Sequence, residues 1–359
     1  MPVDTATIRV VAPLRISFVG GGTDFPHYFQ EHGGAVLSAT IDHHVRITIV
    51  PRHDRQVIVR SLDLGRLVEY HLDAAPVYDG VMDLAKAAIH RIGVPGGIEV
   101  DIDSDAPAGS GLGGSSALVT GMVAGLAMLG GRAFDPHGLA RVSYSIERDD
   151  LGISGGWQDQ YAAAFGGFNL FEFSSFGVQV SPVRTTAQTL ARLQERLMLC
   201  YTGFVRRNVG LIDTQIDLYR EGREDTILGM KQLQEIAYAM RSVVEEGDVD
   251  ELGAMLHDAF VAKRRMNPHI AEHTPIEAML SMAQASGANG GKICGAGGGG
   301  YLLLYCRPSA QPAVRAELER LGAQFTPFAF RAEGVRAFRG GQVWAPTREP
   351  DGEPTEEPS

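Results

Sequence analysis

The sequence has little of what disulfide-rich, membrane-spanning or nucleic-acid-binding proteins require. Its three cysteines in 359 residues lack the spacing of a metal site and favour a reducing compartment, so we expect the cytoplasm. The longest apolar run, residues 117–129, is too short to span a bilayer, and we expect no membrane partner. The net charge of −11 argues against general nucleic-acid binding. The N-terminal stretch contains an acid and no basic run, so we predict no secretory signal.

The length and the hydrophobic content predict a large globular protein of two domains. With 359 residues, 44% of them hydrophobic, the chain can bury a large core. Short β-like runs dominate up to about residue 185, whereas residues 208–266 have almost wholly helical spacing. We therefore predict an N-terminal domain over 1–185, a C-terminal domain over 186–345, and a disordered, Pro- and acid-rich tail over 346–359.

The most distinctive stretch is the glycine-rich segment DAPAGSGLGGSSA at residues 105–117. The residues before it are β-like and those after it are helix-like, so the turn offers backbone N–H groups and a helix N-terminus to an anion. Ser115 and Ser116 fall in the first helical turn. This arrangement predicts a phosphate-binding loop.

Other interpretations of this loop are available. Gly109, Gly111 and Gly114 satisfy the dinucleotide pattern G-x-G-x-x-G. The acid expected about 20 residues further on would be Asp135, but Asp135 precedes a proline and has the pattern of a helix N-cap. A Walker-type loop would need a lysine before the serines. A tight strand-to-helix turn without a ligand remains as an alternative.

A second chemical pattern lies at residues 269–273, HIAEH, which matches the H-x-x-E-H signature of inverted zinc peptidases. Such histidines should share one stable helix face. Here Pro268 precedes them, and Thr274 with Pro275 begins a new helix immediately afterwards. We therefore predict a surface connection at this position.

Three segments together resemble the motifs of a known family. They are PLRISFVGGGTDF at 13–25, PAGSGLGGSSA at 107–117 and KICGAGGGG at 292–300. In order and spacing they resemble motifs one, two and three of the GHMP kinases, which include galactokinase, homoserine kinase, mevalonate kinase and phosphomevalonate kinase. The three glycines followed by Thr-Asp, and GGWQDQYAAAFGGFN at 155–169, look like the branch of heptose 7-phosphate kinases and fucokinases.

The resemblance implies both a fold and an activity. The fold would be α/β (α+β), with an N-terminal domain like ribosomal protein S5 domain 2 and a ferredoxin-like C-terminal domain with added helices. The activity would be ATP-dependent phosphorylation of a sugar or sugar phosphate, at the anomeric hydroxyl, by a monomer or homodimer. Another small-alcohol kinase of the family, such as a fucokinase or galactokinase, and a non-catalytic sugar- and ATP-binding regulator are the alternatives.

The resemblance also implies the residues that bind ATP and Mg²⁺. Glu147 and Ser116 would be the metal ligands, and a carboxylate with a hydroxyl suits Mg²⁺ held largely by phosphate and water. Without the resemblance, Glu147 beside Arg148 would be interpreted as a solvated helix position. The residues that would contact ATP belong to motif two: Pro107, Gly109, Ser110, Gly111, Leu112, Gly113, Gly114, Ser115 and Ser116.

For the acceptor, the resemblance implies that Asp159 contacts the nucleophilic hydroxyl and that Arg15 pairs with Asp159. Their structural alternatives are a helix N-terminal carboxylate and a cation on a strand face. Arg206, with Arg207, Lys263 and Lys292, could neutralise a sugar phosphate or ATP. The residues predicted to bind substrate are Gly21, Gly22, Thr23, Asp24, Arg206, Gly297 and Gly298.

The sequence predicts a specific effect of Arg206→Ala. A guanidinium suits a phosphate remote from the reacting hydroxyl, so the variant should have a raised apparent KM for a heptose 7-phosphate and a nearly unchanged KM for ATP. Steady-state kinetics with each substrate varied in turn would measure this. An equal loss of affinity for ATP would contradict the assignment.

Overall fold

The computed structural model describes residues 7–205, 210–272 and 274–347. The first half of the chain is rich in strands: β1 (Ile8–Val19), β2 (Gly34–Pro51), β3 (Gln56–Ser61), β4 (Arg66–His71), β5 (Ile98–Ser104), β6 (Phe168–Ser174) and β7 (Gly177–Pro182). The helices between these strands are α1 (Pro26–His32), α2 (Asp83–Ile92), α3 (Gly114–Gly130), α4 (Pro136–Ser145) and α5 (Gln158–Phe165). A π-helical turn at Ile146–Asp150 directly follows α4.

The second half of the chain is mainly helical. Its helices are α6 (Ala187–Arg196), α7 (Leu211–Arg220), α8 (Glu224–Glu246), α9 (Leu252–Met266), α10 (Ile276–Ala285) and α11 (Gln311–Arg320). Its strands are β8 (Leu197–Val205), β9 (Ala288–Ile293), β10 (Gly299–Cys306), β11 (Gln324–Thr326), β12 (Arg336–Arg339) and β13 (Gln342–Trp344). Short 3₁₀ turns lie at Val249–Glu251 and Pro268–Ile270.

Two sheets organise the described part of the chain. Nine strands form the larger sheet in the order β13-β12-β1-β2-β5-β3-β4, with β6 paired to β2 and β7 paired to β6. The pair β3–β5 is parallel, and the neighbours of β1 and β2 are antiparallel. The smaller sheet is antiparallel, in the order β11-β8-β10-β9. The predicted division near residue 186 stays a prediction, and the chain returns to the larger sheet with β12 and β13.

Strand β1 joins the core to the cavity described below. Its even-numbered residues from Ile8 to Phe18 are all buried and apolar, as expected when one face of a strand packs on the core. Arg15 and Ser17, at odd positions, belong to the opposite face and line the cavity. β1 is continuous through Pro13, with a shift in its register against β2 between Pro13 and Arg15.

Several local predictions can be compared with the fold. Asp135 caps α4, accepting a hydrogen bond from the backbone N–H of Gly138 at 3.0 Å, so it does not end a strand as a dinucleotide site would require. His269 lies in a 3₁₀ turn, and His273 is outside the described residues.

The three cysteines are buried and free of disulfides. Within 7–205, 210–272 and 274–347, no helix has the length and apolar character needed to cross a bilayer.

The close packing of α8 on α9 predicts the effect of a glycine substitution. A Cβ added to Gly229 would lie 2.5 Å from the backbone nitrogen of Met266 and 2.7 Å from the carbonyl oxygen of Ala262. Gly229→Ala should therefore lower the free energy of unfolding by about 1–3 kcal/mol, because two helix backbones must separate.

The matched control is Gly130→Ala, at the exposed end of α3. There the nearest atom to an added Cβ is 3.8 Å away, so the better helix propensity of alanine should stabilise the protein by up to about 1 kcal/mol. Urea unfolding of both variants measures the difference. Equal stabilities would show that the contact between α8 and α9 is looser than described.

Candidate active site

A cavity of about 610 Å³ lies between the loops of the larger sheet and residues of α9 and β9. Most of the site residues predicted from the sequence line this cavity. They are Arg15, Gly21, Gly22, Asp24, Pro107, Gly109, Ser110, Gly111, Gly113, Gly114, Ser115, Ser116, Glu147, Asp159 and Gly297. Residues far apart in sequence therefore meet in one place.

Four predicted residues are not found among those that line the cavity. Thr23 is buried, and its hydroxyl donates to the carbonyl oxygen of Gly20. The carbonyl of Leu112 accepts from the backbone N–H of Arg15 at 3.0 Å, and the N–H of Gly298 donates to Ile270 at 2.8 Å. These three support the wall of the cavity from behind. Arg206, with Arg207, lies outside the described residues.

The second and third glycine-rich motifs touch through their backbones. Gly111 has a φ of +85°, and a Cβ there would lie 2.6 Å from the carbonyl oxygen of Cys294. A Cβ on Gly295 would lie 2.5 Å from the Cα of Gly111. The carbonyl of Ser110 also accepts from the backbone N–H of Tyr301 in β10 at 3.0 Å. The loop before α3 is thus fixed directly against the smaller sheet.

Arg15 and Asp159 form a partly buried ion pair at the cavity wall. The Arg15 Nε lies 2.8 Å from Asp159 Oδ1, and a second guanidinium nitrogen lies 2.7 Å from the same oxygen. The remaining nitrogen donates to the carbonyl of Gly111 at 2.7 Å. The Arg15 side chain is 4% exposed and that of Asp159 is 27% exposed. Arg15 therefore holds the carboxylate in place while Asp159 stays accessible from the cavity.

Glu147 and Ser116 lie together next to the glycine loop. The Nε2 of Gln160 donates to Ser116 Oγ at 3.1 Å and to Glu147 Oε1 at 3.0 Å, and Arg148 donates to Glu147 Oε2 at 2.9 Å. Glu147 is only 2% exposed, so it is not a solvated helix position. Burial raises the pKa of its carboxyl, and the charge of Arg148 opposes this rise.

This pair of oxygen ligands fits one kind of metal ion. In the described residues no group of three or more His, Cys, Asp or Glu side chains could enclose a metal, which argues against a closed zinc site. One carboxylate and one hydroxyl, both lining a cavity, would instead suit an ion that keeps waters and phosphate oxygens, as Mg²⁺ does. A divalent cation would also favour the charged form of Glu147.

Asp24 is buried at the other side of the cavity. Its carboxylate accepts from the backbone N–H of Gly22 at 2.9 Å, and from the backbone and side-chain nitrogens of Gln158 at 3.1 and 3.2 Å. Burial raises the pKa of Asp24, and these backbone N–H bonds partly offset the rise. A carboxylate has about four acceptor positions, so a position remains for a hydroxyl group in the cavity.

Several residues of the site were missed by sequence reasoning. Gln158 and Gln160 flank Asp159, and that adjacency was the signal that could have identified them. Arg148 donates at 3.2 Å to the carbonyls of Gly155 and Gly156, and so connects the turn that carries Glu147 to the loop before α5. The apolar residues that line the cavity come from separate parts of the chain, so no single sequence motif identifies them. They are Val45, Met82, Leu84, Ile102 and Leu118.

Comparison with known proteins identifies the family. The protein-family model for the N-terminal domain of GHMP kinases matches residues 79–167, and the family model for their C-terminal domain matches residues 239–324. Over 342 residues the chain is 32% identical to the D-glycero-alpha-D-manno-heptose 7-phosphate kinase of Campylobacter jejuni, covering 93% of this chain and 99% of that protein. The chain belongs to the GHMP kinases. It is a phosphotransferase with a hydroxyl group as acceptor.

Other relatives place the chain within that family. A D-glycero-D-manno-heptose 1-phosphate kinase structure from Bacteroides thetaiotaomicron is 28% identical, with a TM-score of 0.76, covering 92% of this chain and 98% of that chain. The Arabidopsis thaliana bifunctional fucokinase/GDP-fucose pyrophosphorylase is 27% identical over 87% of this chain but only 31% of its own length. Lactococcus lactis galactokinase, at 18% identity and a TM-score of 0.76, covers 92% of this chain and 94% of its own and shares the fold. The predicted two-domain α/β fold is confirmed.

Proposed function

We propose that the protein is an ATP-dependent kinase that phosphorylates the anomeric hydroxyl of a heptose 7-phosphate. The observation that carries the proposal is the Arg15–Asp159 pair, which faces the cavity next to the glycine loop. Similarity to heptose phosphate kinases over nearly the whole chain supports the choice of acceptor.

The cavity offers separate regions for the nucleotide and the sugar. The loop before α3 and the N-terminus of that helix suit the phosphates of ATP, since free backbone N–H groups and the helix dipole favour anions. The apolar residues Met82, Leu84 and Ile102 suit a nucleobase. Asp24 and Gln158, on the other side of the Arg15–Asp159 pair, suit the hydroxyls of a sugar.

Asp159 is the group that receives or orients the proton of the attacking hydroxyl. Its bond to Arg15 holds the side chain in a fixed position, which favours orientation of the hydroxyl. Arg15 also ties this side chain to Gly111 in the loop proposed to hold the phosphates. One guanidinium thus fixes the position of Asp159 relative to that loop.

Ser116 and Glu147 would hold Mg²⁺. When bound there, the ion would supply positive charge to offset the negative charge of the phosphates. Gln160 and Arg148 fix both ligands, and Arg148 also offsets part of the cost of burying the Glu147 carboxylate. A non-catalytic regulator would not need Arg15, Glu147 and Asp159 at one cavity, and their meeting there favours the enzyme.

An assay of ADP release would test the proposal. Mg-ATP would be offered with D-glycero-D-manno-heptose 7-phosphate, the unphosphorylated heptose, fucose and galactose, and phosphorus NMR would locate the new phosphate. We expect the heptose 7-phosphate to give the highest kcat/KM and an anomeric phosphate. A higher kcat/KM with neutral fucose or galactose would contradict the acceptor and leave the wider assignment as a sugar kinase.

Replacing Asp159 tests the catalytic pair. Asp159→Asn keeps the size of the side chain but removes the charge that handles the proton, so kcat should fall by roughly 10²- to 10⁴-fold while ATP binding is retained. Steady-state kinetics and nucleotide titration measure the two effects. Asp149→Asn, at an exposed position, is the matched control and should be near normal. Near-normal turnover in Asp159→Asn would exclude the role.

Replacing Glu147 tests the metal site. Glu147→Gln can keep the hydrogen bond from Gln160 through its remaining oxygen, but it loses one acceptor for Arg148 and removes the charge that a divalent cation needs. The Mg²⁺ concentration for half-maximal activity at fixed ATP should rise by at least roughly tenfold. Glu246→Gln, an exposed change on α8, should have no such effect. An unchanged magnesium titration in Glu147→Gln would show that Glu147 is only structural.

A further inference from the structure

The chain uses lysine sparingly and mostly in buried positions. It has four lysines against 28 arginines. Lys231 on α8 is exposed, whereas Lys86, Lys263 and Lys292 are between 3% and 6% exposed. Lys86 forms ion pairs with Asp79 and Asp83, and Lys292 donates to the carbonyl of Ser17 at 2.8 Å. Two of the three buried ammonium groups are therefore satisfied within the protein.

Lys263 differs from the other buried lysines. It is 6% exposed and lines the cavity from α9. Among residues 7–205, 210–272 and 274–347 its ammonium has neither a hydrogen-bond acceptor nor an ion-pair partner. Burial lowers its pKa to about 7, and the charge of Lys292 adds to this. An ammonium group buried without a partner is costly unless an anion binds to it.

The surroundings of Lys263 place it at the sugar side of the cavity. Met266, one turn further along α9, contacts the first motif: a Cβ added to Gly22 would lie 2.6 Å from its sulfur. Gln215 of α7 donates to the carbonyl of Gly22 at 3.3 Å. The carboxylate with the largest electrostatic influence on Lys263 is Asp24.

Lys292 lines the same cavity and shares part of these surroundings. Cys294 and Arg15 influence the pKa of both lysines. The two lysines differ in two respects. Lys292 donates to the carbonyl of Ser17, whereas Lys263 is unpaired in the described residues, and the charge of Asp24 influences the pKa of Lys263 alone.

We propose that Lys263 binds the phosphate group of the sugar phosphate acceptor, and that this contact makes the enzyme prefer a phosphorylated sugar. The inference rests on the proposed function. A phosphate oxygen would supply the acceptor that the Lys263 ammonium lacks. A neutral sugar would leave that ammonium buried and unpaired, so discrimination follows from the cost of an unmatched polar group.

The experiment compares two acceptors in one variant. Lys263→Met removes the charge with little change in length, and Lys231→Met is the same change at an exposed site of the same domain. For each protein, kcat/KM would be measured with D-glycero-D-manno-heptose 7-phosphate and with D-glycero-D-manno-heptose. The ratio of the two values is independent of the fraction of correctly folded enzyme.

We expect the ratio to fall by roughly 10- to 150-fold in Lys263→Met, which is the range for a hydrogen bond to a charged group. The KM for ATP should be unchanged, and Lys231→Met should keep the wild-type ratio. Lys263→Arg, which keeps the charge, should retain part of the preference. Thermal unfolding of each variant reports its folding separately.

Two outcomes would overturn the inference while leaving the proposed function intact. Equal losses with both sugars would mean that Lys263 only balances the charge of Asp24. A raised KM for ATP with an unchanged ratio would assign Lys263 to the nucleotide phosphates. If the wild type phosphorylates neither heptose, the proposed function itself is wrong and the inference fails with it.

Discussion

The contact between Gly111 and Gly295 is the constraint on which the rest of the site depends. Because backbone meets backbone, there is no side chain whose rotation could change the spacing between the loop before α3 and the smaller sheet. Arg15 bonds to the carbonyl of Gly111, and Asp159 bonds to Arg15. The position of the Asp159 carboxylate is therefore set by a chain of short contacts that begins at two glycines.

Buried charge is the second property that the cavity residues share. Asp24 and Glu147 have raised pKa values, and Lys263 and Lys292 have lowered ones, in each case chiefly because the group is removed from water. Burying these groups lowers the stability of the folded protein, and a ligand that pairs with them would offset part of that loss. Enzyme sites commonly contain groups that bind ligands at the expense of folding stability.

Features formed by residues adjacent in the sequence could be predicted from it. The burial of a side chain could not, because it depends on residues that are distant in the sequence. The glycine-rich loop and the helix after it could be predicted because the glycines, the serines and the start of α3 are adjacent, while phosphate binding by the loop stays a prediction. The pairing of Arg15 with Asp159 followed from the family resemblance. The burial of Glu147 could not be predicted, because it depends on a π-helical turn and on Gln160 from another helix. That Lys263 has no hydrogen-bond partner among the described residues is likewise a property of the assembled cavity.

The return of the chain to its first sheet affects the order in which the protein can fold. β12 pairs with β1, so that Arg9 lies opposite Phe338 and Val11 lies opposite Arg336. During translation β1 emerges from the ribosome long before β12, and this edge of the sheet stays unpaired while the intervening helices and the smaller sheet are being made. An unpaired edge can add strands from another chain. Synthesis of β12 therefore both completes the sheet and ends the period in which nascent chains are exposed to mispairing.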